Sequence, residues 1–236
     1  MTKKPATPGR LLWAVNQLPV RPDHHVLEVG VGRGAAADLV CAGLRSGSYL
    51  GIDRSVTAIA ASARRNQQHV ERNVAEFRVL ALEDVDPSST GVFDIVFAVN
   101  VNIFWTEPDQ RGLTLACRLL TDQGQLWLFY EAPTPAASSR IGNVLVERMN
   151  AAGYAYDMIT ETIERSLLLL LRCLPRLTSP GSGQLLAKAR PLLSAPCNAG
   201  SHVTSSPSSG DDFHRHFGWH RSTRSWARPA PVRGRS

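Results

Sequence analysis

Residues 26–34, VLEVGVGRG, set a carboxylate, Glu28, inside an apolar run and follow it with Gly30, Gly32 and Gly34 at alternating positions. Without side chains, such a turn can be tight and a ligand can come close to the backbone. If a helix opens there, its first amides and partial positive charge add to the binding capacity. A tight turn with no ligand is the structural alternative, but three glycines behind a strand acid favour a binding loop. Two kinds of ligand compete. Gly30, Gly32 and Ala35 fit the relaxed G-x-G-x-x-[GA] dinucleotide fingerprint. Glu28 tilts the choice, because a pyrophosphate gains nothing from a carboxylate two residues upstream. A zwitterionic, sulfonium-bearing ligand can use that charge. Asp53 follows Gly34 by 19 residues; its two acceptor oxygens suit a diol, and read alone it would serve equally as a helix cap or a surface charge.

A second group of polar residues follows the later apolar runs. Asn102, Trp105 and Glu131 are expected at the carboxyl ends of strands four and five, where open α/β sheets bind ligands. Trp105 either stacks on a planar substrate or packs under its loop. Glu131 is a weak candidate general base, or a solvated residue at a strand end. No metal is expected: His24 and His25 lack a partner at ligand spacing, and Cys41, Cys117, Cys173 and Cys197 stand far apart with no C-x-x-C pair.

These residues need a scaffold that brings them to one edge. A helical stripe, Leu11, Ala14, Val15 and Leu18, opens the chain. Strands are expected at 25–30, 49–53, 76–82, 93–100 and 125–131, with helices between them. The first of these helices starts near Gly34, Ser55 is a plausible cap for the second, and Gly124 is expected to end the third, marked by Leu113, Ala116, Cys117 and Leu120. Near-continuous apolar strands alternating with amphipathic helices indicate a parallel sheet covered on both faces. Two further strands, near 154–160 and 166–172, are joined by a link too short for a parallel crossover, so they should form an antiparallel hairpin. The expected fold is α/β: a doubly wound, Rossmann-like sheet of seven strands, mostly parallel.

With the strands placed, LEVGVGRG resembles the E-x-G-x-G-x-G motif of class I S-adenosylmethionine-dependent methyltransferases. GIDRS is similar to the family's second motif, FDIVFAVNVNIFW to its fourth strand, and LTDQGQLWLFYEAP to its helix–glycine–strand five segment. The resemblance runs from about Pro8 to about Arg176 and is nearest to the small-molecule-type domains of bacteria. It implies that Gly30 and Gly32 line the cofactor's methionine portion through backbone contacts, with Gly34 in the same cofactor loop, that Glu28 sits beneath the cofactor, ordering the loop or a bridging water, and that Asp53 accepts hydrogen bonds from the ribose hydroxyls. It further implies that Arg54 and Ser55 flank the adenine and that Asn100 offers its carbonyl to the ammonium group. One departure stands out. Ala81 takes the place where the family commonly has an Asp for the adenine amino group. Leu82 can still pack on the adenine, and Glu83 or Asp84 can make the polar contact.

Composition adds limits. Residues 1–176 hold 18 basic and 18 acidic residues, whereas 177–236 hold 8 and 2, so the whole net charge of +6 lies in the tail. That tail, with 23 Ser, Gly or Pro in 60 residues, is expected to be disordered. Two domains follow: 1–176, the methyltransferase-like domain, and 177–236. No apolar run approaches the ~20 residues of a membrane helix, and a cytoplasmic protein is expected. The resemblance implies methyl transfer from S-adenosylmethionine to a small-molecule acceptor. Two alternatives remain open at this point: an NAD(P)-dependent oxidoreductase, and a catalytically silent protein of the same fold that binds nucleic acid through its basic tail, where HRHFGWHR (214–221) stands.

Overall fold

Apolar residues two apart in the chain end up on the same side of a strand, and here that alternation feeds two cores. The computed structural model describes residues 7–163 and 166–174. The tail at 177–236, the domain boundary at 176 and Cys197 lie outside the described residues. Seven strands form: β1 (His25–Val29), β2 (Ser48–Asp53), β3 (Ala75–Val79), β4 (Phe93–Val99), β5 (Leu120–Ala132), β6 (Tyr156–Ile163) and β7 (Ser166–Cys173). They make one sheet in the order β3-β2-β1-β4-β5-β7-β6. The first five pair in parallel, and β7 lies antiparallel between β5 and β6, as the short link requires.

Helices cover both faces. On one, Val26, Tyr49, Phe97, Trp127 and Phe129 pack against α1 (Gly9–Gln17), α2 (Ala35–Gly43) and α3 (Val56–Arg65) through Trp13, Ala14, Ala37, Val40 and Ile59. On the other, Leu27, Val29, Leu126, Leu128 and Leu171 meet α7 (Arg111–Arg118) and α8 (Pro135–Ala151) through Leu113, Ala116, Leu145 and Met149. Each fully buried Val, Leu, Ile, Phe or Met among them contributes about 1.5–3 kcal/mol. Three short helices lie between: α4 (Gln67–Glu71), α5 (Pro87–Thr90) and α6 (Ile103–Thr106). Ser55 caps α3 as expected, its Oγ accepting the Ala58 N–H at 3.2 Å.

Two boundaries differ from expectation. The third strand stops at Val79, and Leu82–Asp84 coil into a 3-10 turn. Gly124 does not end a helix: α7 finishes at Arg118 and Gly124 lies inside β5. It is needed there because the register with β4 shifts between Phe93 and Ile95, bringing backbone close. A Cβ at Gly124 would stand 2.7 Å from the Phe93 carbonyl oxygen. No disulfide joins Cys41, Cys117 or Cys173.

This contact separates two glycines that look alike in sequence. Gly124→Ala should destabilise the fold by about 1–3 kcal/mol, the scale of overpacking. Gly43→Ala, with no described residue within 4 Å of the added methyl, should be neutral or stabilise by up to about 1 kcal/mol. Urea unfolding monitored by tryptophan fluorescence measures both, and equal effects would contradict the packing argument.

Candidate functional site

The turn after β1 has three glycines with positive φ, Gly30 (+72), Gly32 (+54) and Gly34 (+69), and each is glycine for a different reason. A Cβ on Gly30 would come 2.5 Å from Val101 Cγ2, so the β1 and β4 ends could not approach. A Cβ on Gly34 would meet Asn66 Nδ2 at 2.4 Å and Ser62 Cβ at 2.7 Å. Around Gly32 there is room: among the described residues the one neighbour within 4 Å is the Gly30 carbonyl oxygen at 4.0 Å. The turn is fastened from β2: Gly30 and Val31 donate to the Ile52 carbonyl at 2.8 and 3.0 Å, and Gly32 N–H donates to Asp53 Oδ2 at 3.0 Å. Asn66 Nδ2 closes the far end on the Gly34 carbonyl at 2.9 Å.

Glu28 does not face the space above this turn. It is buried at 3 % exposure on the face that carries α2, and the Tyr49 hydroxyl donates to its Oε2. Burial, outweighing the Tyr49 bond and helped by the charge of Asp53, raises its carboxyl from an ordinary 4.5 to about 8. The resemblance implies a Glu28 beneath the cofactor that orders the loop or a bridging water; in the structure its side chain is a largely protonated link between β1 and β2.

At the carboxyl edge lies a cavity of about 600 Å³, lined by Val29, Gly30, Asp53, Arg54, Leu82, Glu83 and residues of the segment after β4; small-molecule sites span roughly 300–1,000 Å³. Asp53 uses Oδ1 for the Ser55 N–H at 2.9 Å and Oδ2 for Gly32, and each oxygen keeps a further lone pair for a ligand. Arg54 Nη1 and Glu83 Oε1 face each other at 3.9 Å. Asn100 lines the cavity with φ +57, a conformation Asn tolerates better than most; its Oδ1 accepts the Glu131 N–H at 2.8 Å. Gly32, Gly34 and Glu28 belong to the layer around this cavity rather than to its lining.

Of the three residues expected on the acceptor side, Asn102 lines the cavity and accepts the Trp105 Nε1–H on its Oδ1 at 3.3 Å. Trp105 and Glu131 are not among the lining residues. Trp105 packs against the core of the α7/α8 face, with the Arg140 guanidinium 5.8 Å from its ring centre. Glu131 accepts the Ser166 hydroxyl on Oε1, and its Oε2 is 3.4 Å from Arg10 Nη1. Sequence reasoning passed over Val101, Ile103, Thr106 and Glu107, which complete the wall. The apolar spacing of IFW hid a one-turn helix that carries them inward.

The raised Glu28 pKa has a signed consequence. A native state that holds a proton the unfolded chain releases is most favoured below about pH 4.5 and loses that advantage as pH rises through about 8. Glu28→Gln cannot ionise and still accepts the Tyr49 hydroxyl. Between pH 5 and 8.5, the wild-type Tm should fall relative to that of the variant. A gap that stays constant across the range would mean that Glu28 is ionised in the folded protein.

Residues 27–126 match a family model described as a methyltransferase domain. No curated protein matches the sequence significantly. Among solved structures, the chain is similar to magnesium protoporphyrin IX methyltransferase (ChlM) from Synechocystis PCC 6803 with bound S-adenosylmethionine. The TM-score is 0.52 at 16 % identity, covering 70 % of this chain and 76 % of that one. A geranyl diphosphate methyltransferase in complex with its diphosphate and sinefungin gives 0.55 at 11 % identity over 70 % and 76 % of the two chains. The [4+2]-cyclase SpnF gives 0.55 at 15 % identity over 70 % and 80 %. At these identities the likeness to solved structures is one of fold. The family match adds chemistry to that fold over residues 27–126, where the chain reads as a methyltransferase domain.

Proposed function

We propose that the protein transfers the methyl group of S-adenosylmethionine to a small-molecule acceptor at the carboxyl edge of the sheet. The observation that carries this reading is Gly32: positive φ, open space where a Cβ would be, and an N–H held by Asp53 beside a cavity of about 600 Å³. A side chain would fill that space, so the turn fits a ligand that lies against its backbone. In this reading Gly30 and Gly32 support the methionine portion and Gly34 shapes the turn. Asp53 accepts the ribose hydroxyls with its spare lone pairs. Leu82 packs on the adenine, with Arg54 and Glu83 at its edge, Glu83 compensating for Ala81. Asn100 offers its carbonyl to the ammonium group. The bound cofactor supplies an electrophilic methyl on a sulfonium. The chain's own residues align the acceptor, exclude water and fix the approach.

The acceptor meets the wall of Val101, Asn102, Ile103, Thr106 and Glu107. Glu131, paired with Ser166 and Arg10, is better suited to holding α1 over the sheet than to removing a proton. No described helix is long and apolar enough to cross a membrane; the reading of a cytoplasmic enzyme rests on the sequence. A nicotinamide-dependent oxidoreductase is disfavoured by the methyltransferase family match. The nucleic-acid alternative depends on residues 177–236, outside the described residues. Because a cyclase shares this fold, the deciding experiment must read methyl transfer itself.

Isothermal calorimetry should show binding of S-adenosylmethionine and of its demethylated product but not of NADH. Asp53→Ala should weaken that binding by roughly 1–3 kcal/mol, the scale for losing hydrogen bonds to a charged group. Gly32→Val should abolish it. Labelled S-adenosylmethionine incubated with a metabolite extract should pass label to an extractable small molecule. Binding of NADH alone would overturn the reading.

A further inference from the structure

The segment after β4 forms one wall of the cavity, and polar groups hold it from behind. Tyr130, buried on β5, donates its hydroxyl to the Val101 carbonyl at 2.9 Å. Arg148, near the end of α8 and only 8 % exposed, reaches across to α6. Its Nη1 donates to the Phe104 carbonyl at 2.7 Å and its Nη2 to the Glu107 carbonyl at 2.5 Å. A one-turn helix leaves its last carbonyls without intrahelical donors, and Arg148 supplies two. Glu107 is then fixed at both ends, since its Oε2 accepts the Gly112 N–H at 2.7 Å at the start of α7.

A buried guanidinium is an expensive way to fill space between a helix and a core. It loses its hydration, and no ion pair compensates it among the described residues. A methionine would occupy similar volume without that loss. What a methionine cannot do is bridge two carbonyls with a planar fork of donors, which is the particular capacity of arginine. The bridge joins α8, packed on the sheet through Leu145 and Met149, to the two ends of the wall that Ile103, Thr106 and Glu107 present to the cavity.

We infer that Arg148 is a positioning residue: through the Phe104 and Glu107 carbonyls it sets the α6 wall and with it the shape of the space in which acceptor and cofactor meet. This rests on the reading of the cavity as the methyl-transfer site. Arg148 is not among the residues that line the cavity, so it acts through the backbone carbonyls of others.

The test uses the full chain with Arg148→Met, which removes both donors and keeps the stem, and Arg148→Lys, which keeps the charge without the fork. Amide hydrogen exchange and the affinity for S-adenosylhomocysteine by calorimetry are measured for each. In Arg148→Met, the amides of Trp105, Thr106 and Glu107 should exchange at least about tenfold faster, with those of 26–29 in β1 unchanged. Affinity should fall several-fold, and Arg148→Lys should be intermediate on both readouts. If Arg148→Met does not fold, Arg148→Lys carries the same comparison. Wild-type exchange over 103–107, or equal acceleration in β1 and α6, would overturn the inference, the latter making Arg148 a general stabiliser. If the wild-type protein binds no S-adenosylhomocysteine, the functional reading falls and the exchange pattern alone decides the role of Arg148.

Discussion

A turn with three left-handed glycines has little conformational preference of its own, since glycine loses more freedom on ordering than any other residue. What fixes it here is its neighbour in the sheet. Asp53, at the end of β2, gives one carboxylate oxygen to the Gly32 N–H and the other to the Ser55 N–H, while the Ile52 carbonyl takes Gly30 and Val31. The same carboxylate therefore shapes the turn, orients the entry to α3 and borders the cavity. The rest of the edge presupposes this joint, because the close approach of Gly30 to Val101 places the β4 end relative to β1.

The charges around the cavity are not where the motif suggested. Glu28 is withdrawn beneath the turn and held largely neutral by burial. The carboxylates that line the space are those of Asp53, Glu83 and Glu107, with Arg54 as the lining cation. A net excess of acid suits a ligand that carries positive charge and hydroxyl donors. The physical requirement inferred from Glu28 is met, but by other residues. The reason is geometric: a side chain inside β1 points to a sheet face, whereas only strand ends and the loops beyond them reach the edge.

That distinction explains what could be read in the sequence and what could not. Strand and helix periods gave the sheet, its hairpin and the glycine turn, because alternation and turn residues are local signals. The place of Asp53 at the end of β2 was legible through its interval from the turn. Glu131 was placed correctly along its strand, but its face follows Trp127 and Phe129, towards α1, and the carboxyl-edge argument did not ask which face. Gly124 looks like a helix stop in the sequence, since a contact with the Phe93 carbonyl 31 residues away leaves no local trace. Arg148 and Tyr130 gave no signal either. Their partners are backbone carbonyls, which carry no residue identity at all.

The two cores divide the labour of the edge. The glycine turn is backed by the cluster containing Val31, Ala36 and Tyr49, whereas the wall after β4 rests through Val101, Ile103 and Phe104 on the cluster shared with α7 and α8. The sheet stands between them as a partition. That partition is incomplete, because Ile52, whose carbonyl fastens the turn, and Leu82, which lines the cavity, belong to the second cluster. A lineage that reshapes this cluster to change what it modifies therefore also disturbs how it holds what it modifies with, and the two histories stay tied.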